Sequence, residues 1–252
     1  MRQFYVLFKA NLLSTMRNRS AVFFNIFSPV LFFVIFGFIF KNDTGSFGAG
    51  GPTIGYAIYL LAGIIVMSQL ASGFYGGAAV LVTWRERGIF RRIQATPMSV
   101  WQLMLARVLA QLIVIMLQAG VIILTGKLVF DVLPAKAGAL WDVLFIVAGG
   151  LVFLAIGQLI AARVKRVETA NILINVIWLP LLFFTDLFFP LSQLPDALQQ
   201  IGKVLPPYLV VELLRSSIIL GQPPEHALAD VVGLALYFVL AVVISARIFS
   251  FE

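Results

Sequence analysis

Hydrophobic positions in this chain fall into long runs separated by short polar or basic breaks, and the lengths of those runs predict its elements. About 20 apolar residues, rising about 1.5 Å each, cross a hydrocarbon core about 30 Å thick. Six runs are drawn on that rule: 21–40, 54–82, 100–130, 140–162, 169 to about 189, and 227–248. Pro29 lies inside the first and predicts a bend, because it removes one backbone donor that Ser28 and neighbouring helices can compensate. The second run exceeds what a perpendicular helix needs, which predicts tilt or projection beyond the bilayer. Its Gly73 and Gly77, one helical turn apart, are a weak signal for close approach of another helix.

Two stretches depart from the spanning pattern. In residues 1–20, Phe4, Leu7, Phe8 and Leu12 recur at helical spacing while Gln3 and Lys9 fall off that face, which predicts an amphipathic helix lying in the interface. Its four cations and the lack of a small-residue cleavage site argue against a signal peptide. In residues 190–222, Pro195, Pro206 and Pro207 break the apolar pattern, and Asp196, Lys203, Glu212 and Arg215 stud it. Segment 201–205 is too short to span, and 208–220 has the length of a re-entrant or interfacial helix. The reading is an all-α polytopic membrane protein, one transmembrane domain over 1–252, with six transmembrane helices and a re-entrant helical region before the last.

Composition agrees: 61% of the 252 residues are hydrophobic and 12% charged, against about 45–50% and about 25% in soluble proteins. No cysteine and a single histidine, His226, exclude disulfides, thiolate chemistry and any His-rich metal site; His226 itself is read as a loop residue. Segment 120–127 is a near miss for a phosphate-binding loop, because five residues separate Gly120 from Gly126-Lys127 and Leu128 stands where Ser or Thr is needed. The chain is thus expected to hold no ATP, metal or other cofactor of its own and to carry no catalytic residue.

The net charge of +7 fits cytoplasmic loops better than nucleic acid. With both termini on one side, that side collects thirteen cations, among them Arg17, Arg19, Arg85, Arg87, Arg91, Arg92, Arg163, Lys165, Arg166 and Arg247, and the other side five. The positive-inside rule places both termini in the cytoplasm of what is expected to be a bacterial or archaeal membrane.

The same count places the basic segment 84–97, Trp-Arg-Glu-Arg-Gly-Ile-Phe-Arg-Arg-Ile-Gln-Ala-Thr-Pro, in the cytoplasm. A helix from about Arg85 to Ala95 would set Ile89, Phe90 and Ile93 as an apolar strip among arginines, the composition of a docking element. Pro97 would separate it from the next span.

Glu86-Arg87-Gly88 through Arg91-Arg92-Ile93-Gln94-Ala95-Thr96-Pro97, running into 103–109, closely resembles the signature of ABC-2 type ABC transporter permeases. Pro195, Leu205-Pro206-Pro207-Tyr208 and Glu212-Leu-Leu-Arg215 resemble the re-entrant region of that family. The chain departs from the pattern at Ile89 and Arg91, where many members carry Thr and Glu. The resemblance implies a drug-exporter-like permease subunit, paired with a second copy of itself or a related permease in the lipid. Segment 84–97 would be its coupling helix, seated on one of two separate ABC ATPase subunits that bind ATP and Mg. Coupling residues would be Arg85, Glu86, Arg87, Gly88, Ile89, Phe90, Arg91, Arg92, Ile93, Thr96 and Pro97. Polar residues within spans, Gln69, Gln111, Gln118, Asn171 and Asn175, are candidates for a substrate path, with interhelical hydrogen bonding as the simpler role for the glutamines.

The expected cargo is an amphiphilic or lipophilic molecule, a drug, lipid or peptide-like compound; polysaccharide or lipid-linked glycan export is the alternative within the family. From other classes, an ATP-independent secondary transporter or channel would show ionisable residues in mid-span, where only Asp186 comes near. An intramembrane protease would need a Ser/His pair, paired aspartates or an HExxH-type metal site, and one loop histidine with no cysteine argues against it.

Overall fold

A computed structural model describes residues 2–17, 19–41, 44–46, 53–90, 100–188 and 190–248. Residues 2–17 form the interfacial helix expected from their spacing, α1 (Arg2–Arg17). Phe4, Leu7, Phe8 and Leu12 are half-buried along one face and Lys9 is exposed on the other. The covered face rests on the helix of the third run.

Helix α2 (Arg19–Ile39) runs through Pro29 without ending there. It is followed by two three-residue strands, β1 (Thr44–Ser46) and β2 (Thr53–Gly55), paired antiparallel with Gly45 opposite Ile54. The sequence pattern held no signal for this hairpin.

The centre of the molecule is α3 (Tyr56–Glu86), a single 31-residue rod. It is apolar on all sides, and 83% of its most apolar window is buried, as expected of a helix surrounded by others. Residues Tyr75–Ala79 form a π-helical turn within it. Around α3 pack α2, α4 (Val100–Phe130), α5 (Ala139–Ala161) and the later α8 (Pro206–Leu220). Helix α9 (Ala227–Ile248) lies against α5 and α8 with only 17% of its apolar window buried. It shows Leu228, Val232, Leu236 and Leu240 on the outside.

Among the described residues, α3, α4, α5 and α9 are long and apolar enough to cross a bilayer. The apolar part of α2, Phe23–Ile39, and α6 (Val167–Phe183) are shorter. The fifth run thus ends earlier than its hydrophobicity predicted. Helix α6 stops at Phe183, and the chain turns at Asp186 with φ 59°, a left-handed conformation that cannot continue a helix.

The broken region resolves into α7 (Asp196–Val204) and α8. Pro195 is the N-cap of α7, and Pro206 and Pro207 occupy the first positions of α8. The prolines therefore start helices, where a missing N–H costs nothing. Helix α7 begins five residues before the expected segment at 201, and α8 two residues before the expected 208. Gly221, left-handed with φ 74°, caps α8.

Lipid is as apolar as leucine, so close packing rather than water exclusion holds such helices together. The tightest crossing is α3 on α5. A Cβ added at Gly157 would collide with the Gly73 carbonyl and stand 3.2 Å from the Gly77 Cα. The weak small-residue signal at Gly73 and Gly77 is where α5 presses in.

Candidate coupling and transport site

The basic segment begins inside α3. Arg85 and Glu86 belong to the last turn of that helix, and the chain leaves it at Arg87 and Gly88. Gly88 has φ 64°, a conformation side chains resist. A new helical turn starts at Ile89. The expected docking helix from Arg85 is corrected accordingly, since a left-handed residue separates Arg85 from Ile89. Arg91, Arg92, Ile93, Thr96 and Pro97 lie outside the described residues.

The four residues around that break point in different directions. Arg87 is exposed. Arg85 turns back, and its Nη1 donates to the carbonyls of Ala161 at 2.8 Å and Val164 at 2.5 Å while Nη2 reaches Ala162 at 3.4 Å. Glu86 accepts the backbone N–H of Val167 at 2.9 Å. Phe90 is 1% exposed and meets the Trp84 ring edge-on at 6.1 Å. Phe90 was expected in a docking strip, yet its ring packs inside its own chain, because the turn at Gly88 folds it back onto α3.

Trp84 also carries Arg107 over its face at 4.9 Å. Arg107, 9% exposed on α4, donates to the carbonyl of Gly76 in the π-helical turn. That same turn supplies the Tyr75 hydroxyl, which donates to Asn175 Oδ1 at 2.7 Å, and meets Gln111 at Gly76. The π turn thus touches α4, α5 and α6 at once.

The five polar candidates for a path do not gather at one place. Gln118, 1% exposed, accepts from the Ser72 hydroxyl at 2.7 Å and reaches the Asn25 carbonyl at 3.5 Å. Asn25 O is the acceptor that Pro29 cannot serve, so Gln118 holds α2, α3 and α4 together at the proline. Gln111 is 8% exposed. Gln69 is fully buried beside Gly149, with neither amide atom hydrogen-bonded. Asn171 is half-buried and Asn175 exposed on α6.

On the opposite end of α3, sequence reasoning missed a buried polar centre. Asp186 and Arg215 form an ion pair whose side chains are 14% and 11% exposed. Arg215 Nη2 also donates to the Asp186 carbonyl at 2.7 Å, and its guanidinium lies 3.8 Å above the Tyr59 ring. Asp186 Oδ1 accepts from the Tyr59 hydroxyl at 3.1 Å and from Leu191 N–H at 2.5 Å. Tyr56 donates to the Phe188 carbonyl at 3.0 Å. The sharp turn after α6 is thereby fastened to α3 and α8. The only early signal was charge: an acid and a cation in apolar surroundings require partners.

On the neighbouring face of α8, Glu212 Oε1 lies 2.9 Å from His226 Nε2. Asp230 Oδ2 stands 3.4 Å from the same nitrogen. His226 sits in the turn before α9, as expected, and joins that turn to α8.

Similarity to known proteins extends along most of this architecture. "Putative transport permease YvfS" of Bacillus subtilis (strain 168) is 26% identical over 199 residues, 79% of this chain and 78% of that protein. "Nodulation protein J" of Rhizobium leguminosarum bv. viciae is 29% identical over 99 residues, 39% of this chain and 38% of its own. Its counterpart in Rhizobium meliloti (strain 1021) is 27% identical over 99 residues, 39% of this chain and 37% of its own. The ABC-2 type transporter profile matches residues 2–219, from α1 to the last turn of α8, and the chain belongs to that family, whose members are transmembrane permease subunits rather than ATPases.

Proposed function

We propose that the chain is the permease subunit of an ATP-driven exporter. In this reading two permease copies, identical or related, associate with two ABC ATPase subunits that bind ATP and Mg. Six spans, α2, α3, α4, α5, α6 and α9, cross the cytoplasmic membrane with both termini inside. The segment after Gly88 rests on the ATPase, and its movement reaches α3 through the break at Arg87 and Gly88. Substrate moves outward between the two copies, and short loops with a phenylalanine-rich α2 suit an amphiphilic or lipophilic molecule. The family implies the ATPase partner.

The observation that supports the coupling reading is the left-handed glycine that parts Ile89 and Phe90 from the end of α3, with Phe90 packed against Trp84 of that helix. A docking element must be a distinct body, yet joined firmly enough to transmit force. Charge pairing speaks against a coupled-ion transporter, because Asp186, the acid nearest mid-span by sequence, is occupied by Arg215, Tyr59 and backbone.

The test is purification of the tagged chain with its bound proteins. A soluble ABC ATPase should co-purify, and its hydrolysis should respond to the permease in reconstituted vesicles. Transport by vesicles that hold the permease and no ATPase would overturn the proposal. For orientation, a tag inserted at Ser46 should be reached from outside intact cells and one at Gly88 only after permeabilisation.

A further inference from the structure

We infer that Arg85 and Glu86 are a clamp that makes the turn between α5 and α6 move with the coupling segment, so that the ATPase stroke is delivered to α6 as well as to α3. The inference rests on the ATPase-driven reading above and assigns these two residues a transmitting role in place of a docking one.

The argument starts from what helix ends leave unpaired. The last four carbonyls of a helix and the first four N–H groups have no intrahelical partner, and each end attracts opposite charge. Helix α5 ends at Ala161 and α6 begins at Val167, so five residues place an electronegative end and an electropositive end side by side. Arg85 donates to the carbonyls of Ala161, Ala162 and Val164. Its neighbour Glu86 accepts from Val167 N–H at 2.9 Å. A cation meets the C-terminal end and an anion the N-terminal end, each sign where the helix termini favour it.

The consequence is mechanical. Arg85 and Glu86 are the last helical residues before the break at Arg87 and Gly88, so any tilt of the coupling segment acts first on them. The turn they grip is 76 to 81 positions away in the chain, and chain connectivity alone would not carry the motion there. Helix α6 follows that turn directly and carries Asn171 and Asn175, so a clamped turn lets the cytoplasmic stroke rotate α6.

The chain has no cysteine, which allows the clamp to be replaced by a covalent link between two introduced thiols with no other thiol in the permease. The permease–ATPase complex is reconstituted in lipid nanodiscs and trapped with ADP and vanadate. Hydrogen exchange is read by mass spectrometry at the end of α3 and over residues 167–171. In the wild-type complex, trapping should change exchange at both places. In R85Q, and in reduced E86C/V167C, the change over 167–171 should fall at least about fivefold, the lower end of ordinary site-to-site coupling, while that at the end of α3 persists. R85K should recover part of it. Bridging E86C/V167C with dibromobimane should restore the response in the same protein, a recovery that loss of folding would not give. Full response over 167–171 in R85Q and in reduced E86C/V167C would overturn the clamp and leave the functional proposal standing. Absence of any ATPase bound to the wild-type chain would overturn both.

Discussion

Replacing Arg215 by methionine tests whether the buried centre at the head of α3 organises the turn after α6. Methionine keeps the unbranched stem and removes every polar contact: the ion pair to Asp186, the hydrogen bond to its carbonyl and the contact over Tyr59. Removing one partner of a buried ion pair costs about 3–5 kcal/mol, because the other charge stays buried. Asp186 would retain the Tyr59 hydroxyl and the Leu191 N–H as donors, which places R215M near the lower end, about 3 kcal/mol. D186N should cost about as much or more, since its amide either turns a donor toward the guanidinium or loses a donor on the other side. Asparagine accepts the left-handed backbone of residue 186, so D186N adds no backbone strain, whereas D186A should lose about a further 1 kcal/mol. The double variant R215M/D186N leaves neither member of this ion pair charged and should be less destabilised than the sum of the singles by about 2 kcal/mol. Equilibrium unfolding of the purified chain in mixed micelles with increasing SDS measures all four. Single variants that lose less than about 1 kcal/mol, and a double variant additive within about 0.5 kcal/mol, would refute the reasoning.

Four further variants test other positions. G157A should weaken the α3–α5 crossing by about 2 kcal/mol through overpacking, because the obstructing atoms are backbone of Gly73 and Gly77; thermal stability in detergent reads it. F90A should lose about 3 kcal/mol as a fully buried aromatic, whereas R87E, at an exposed position, should leave stability within about 0.5 kcal/mol and reduce the yield of co-purified ATPase. R107M, which strips Gly76 and Trp84 of a shared partner, should increase hydrogen exchange across residues 75–79 while leaving exchange in α9 unchanged.

How much of this was legible depended on whether the signal was local. Helices α4 and α9 begin and end where the hydrophobic runs 100–130 and 227–248 do, because polar breaks bound them in sequence. The amphipathic face of α1 followed from spacing alone. Boundaries failed where conformation outweighed hydropathy: Phe184, Leu187 and Phe188 extend the apolar run, yet Asp186 turns the chain there. Prolines 206 and 207 were read as breaks, and they start a helix. At the candidate site, residue types were legible and partners were not. Phe90 carried the right chemistry for an interface, but a 3.6-residue period cannot tell a face that meets a partner from one that meets its own chain. Asp186 and Arg215 are 29 positions apart and Glu86 and Val167 are 81 apart, distances at which only the folded chain reports a pairing.

Those long-range polar contacts share a physical logic. Helices in lipid gain little from burying leucine against leucine, so the apolar majority of this chain supplies shape and little direction. Direction comes from a few groups whose alternative is an unpaired polar atom in hydrocarbon. Many of them fall on α3: Tyr56 and Tyr59 at its head, Ser72 and the Gly76 carbonyl along its length, Arg85 and Glu86 at its foot. Each pair ties α3 to a different partner: the turn after α6, then α4, then the turn between α5 and α6. A rod held at successive heights by separate neighbours cannot rotate without moving them. Its one departure from α geometry, the π turn at Tyr75–Ala79, is held by Arg107 and Asn175. In the exporter proposed above, a stroke entering at Glu86 would meet a lower segment hydrogen-bonded to the turn before α6, a π turn where the helix can change its winding, and an upper segment fixed by Asp186 and Arg215. In the proposed exporter, motion entering from the Glu86 end would be taken up at that π turn.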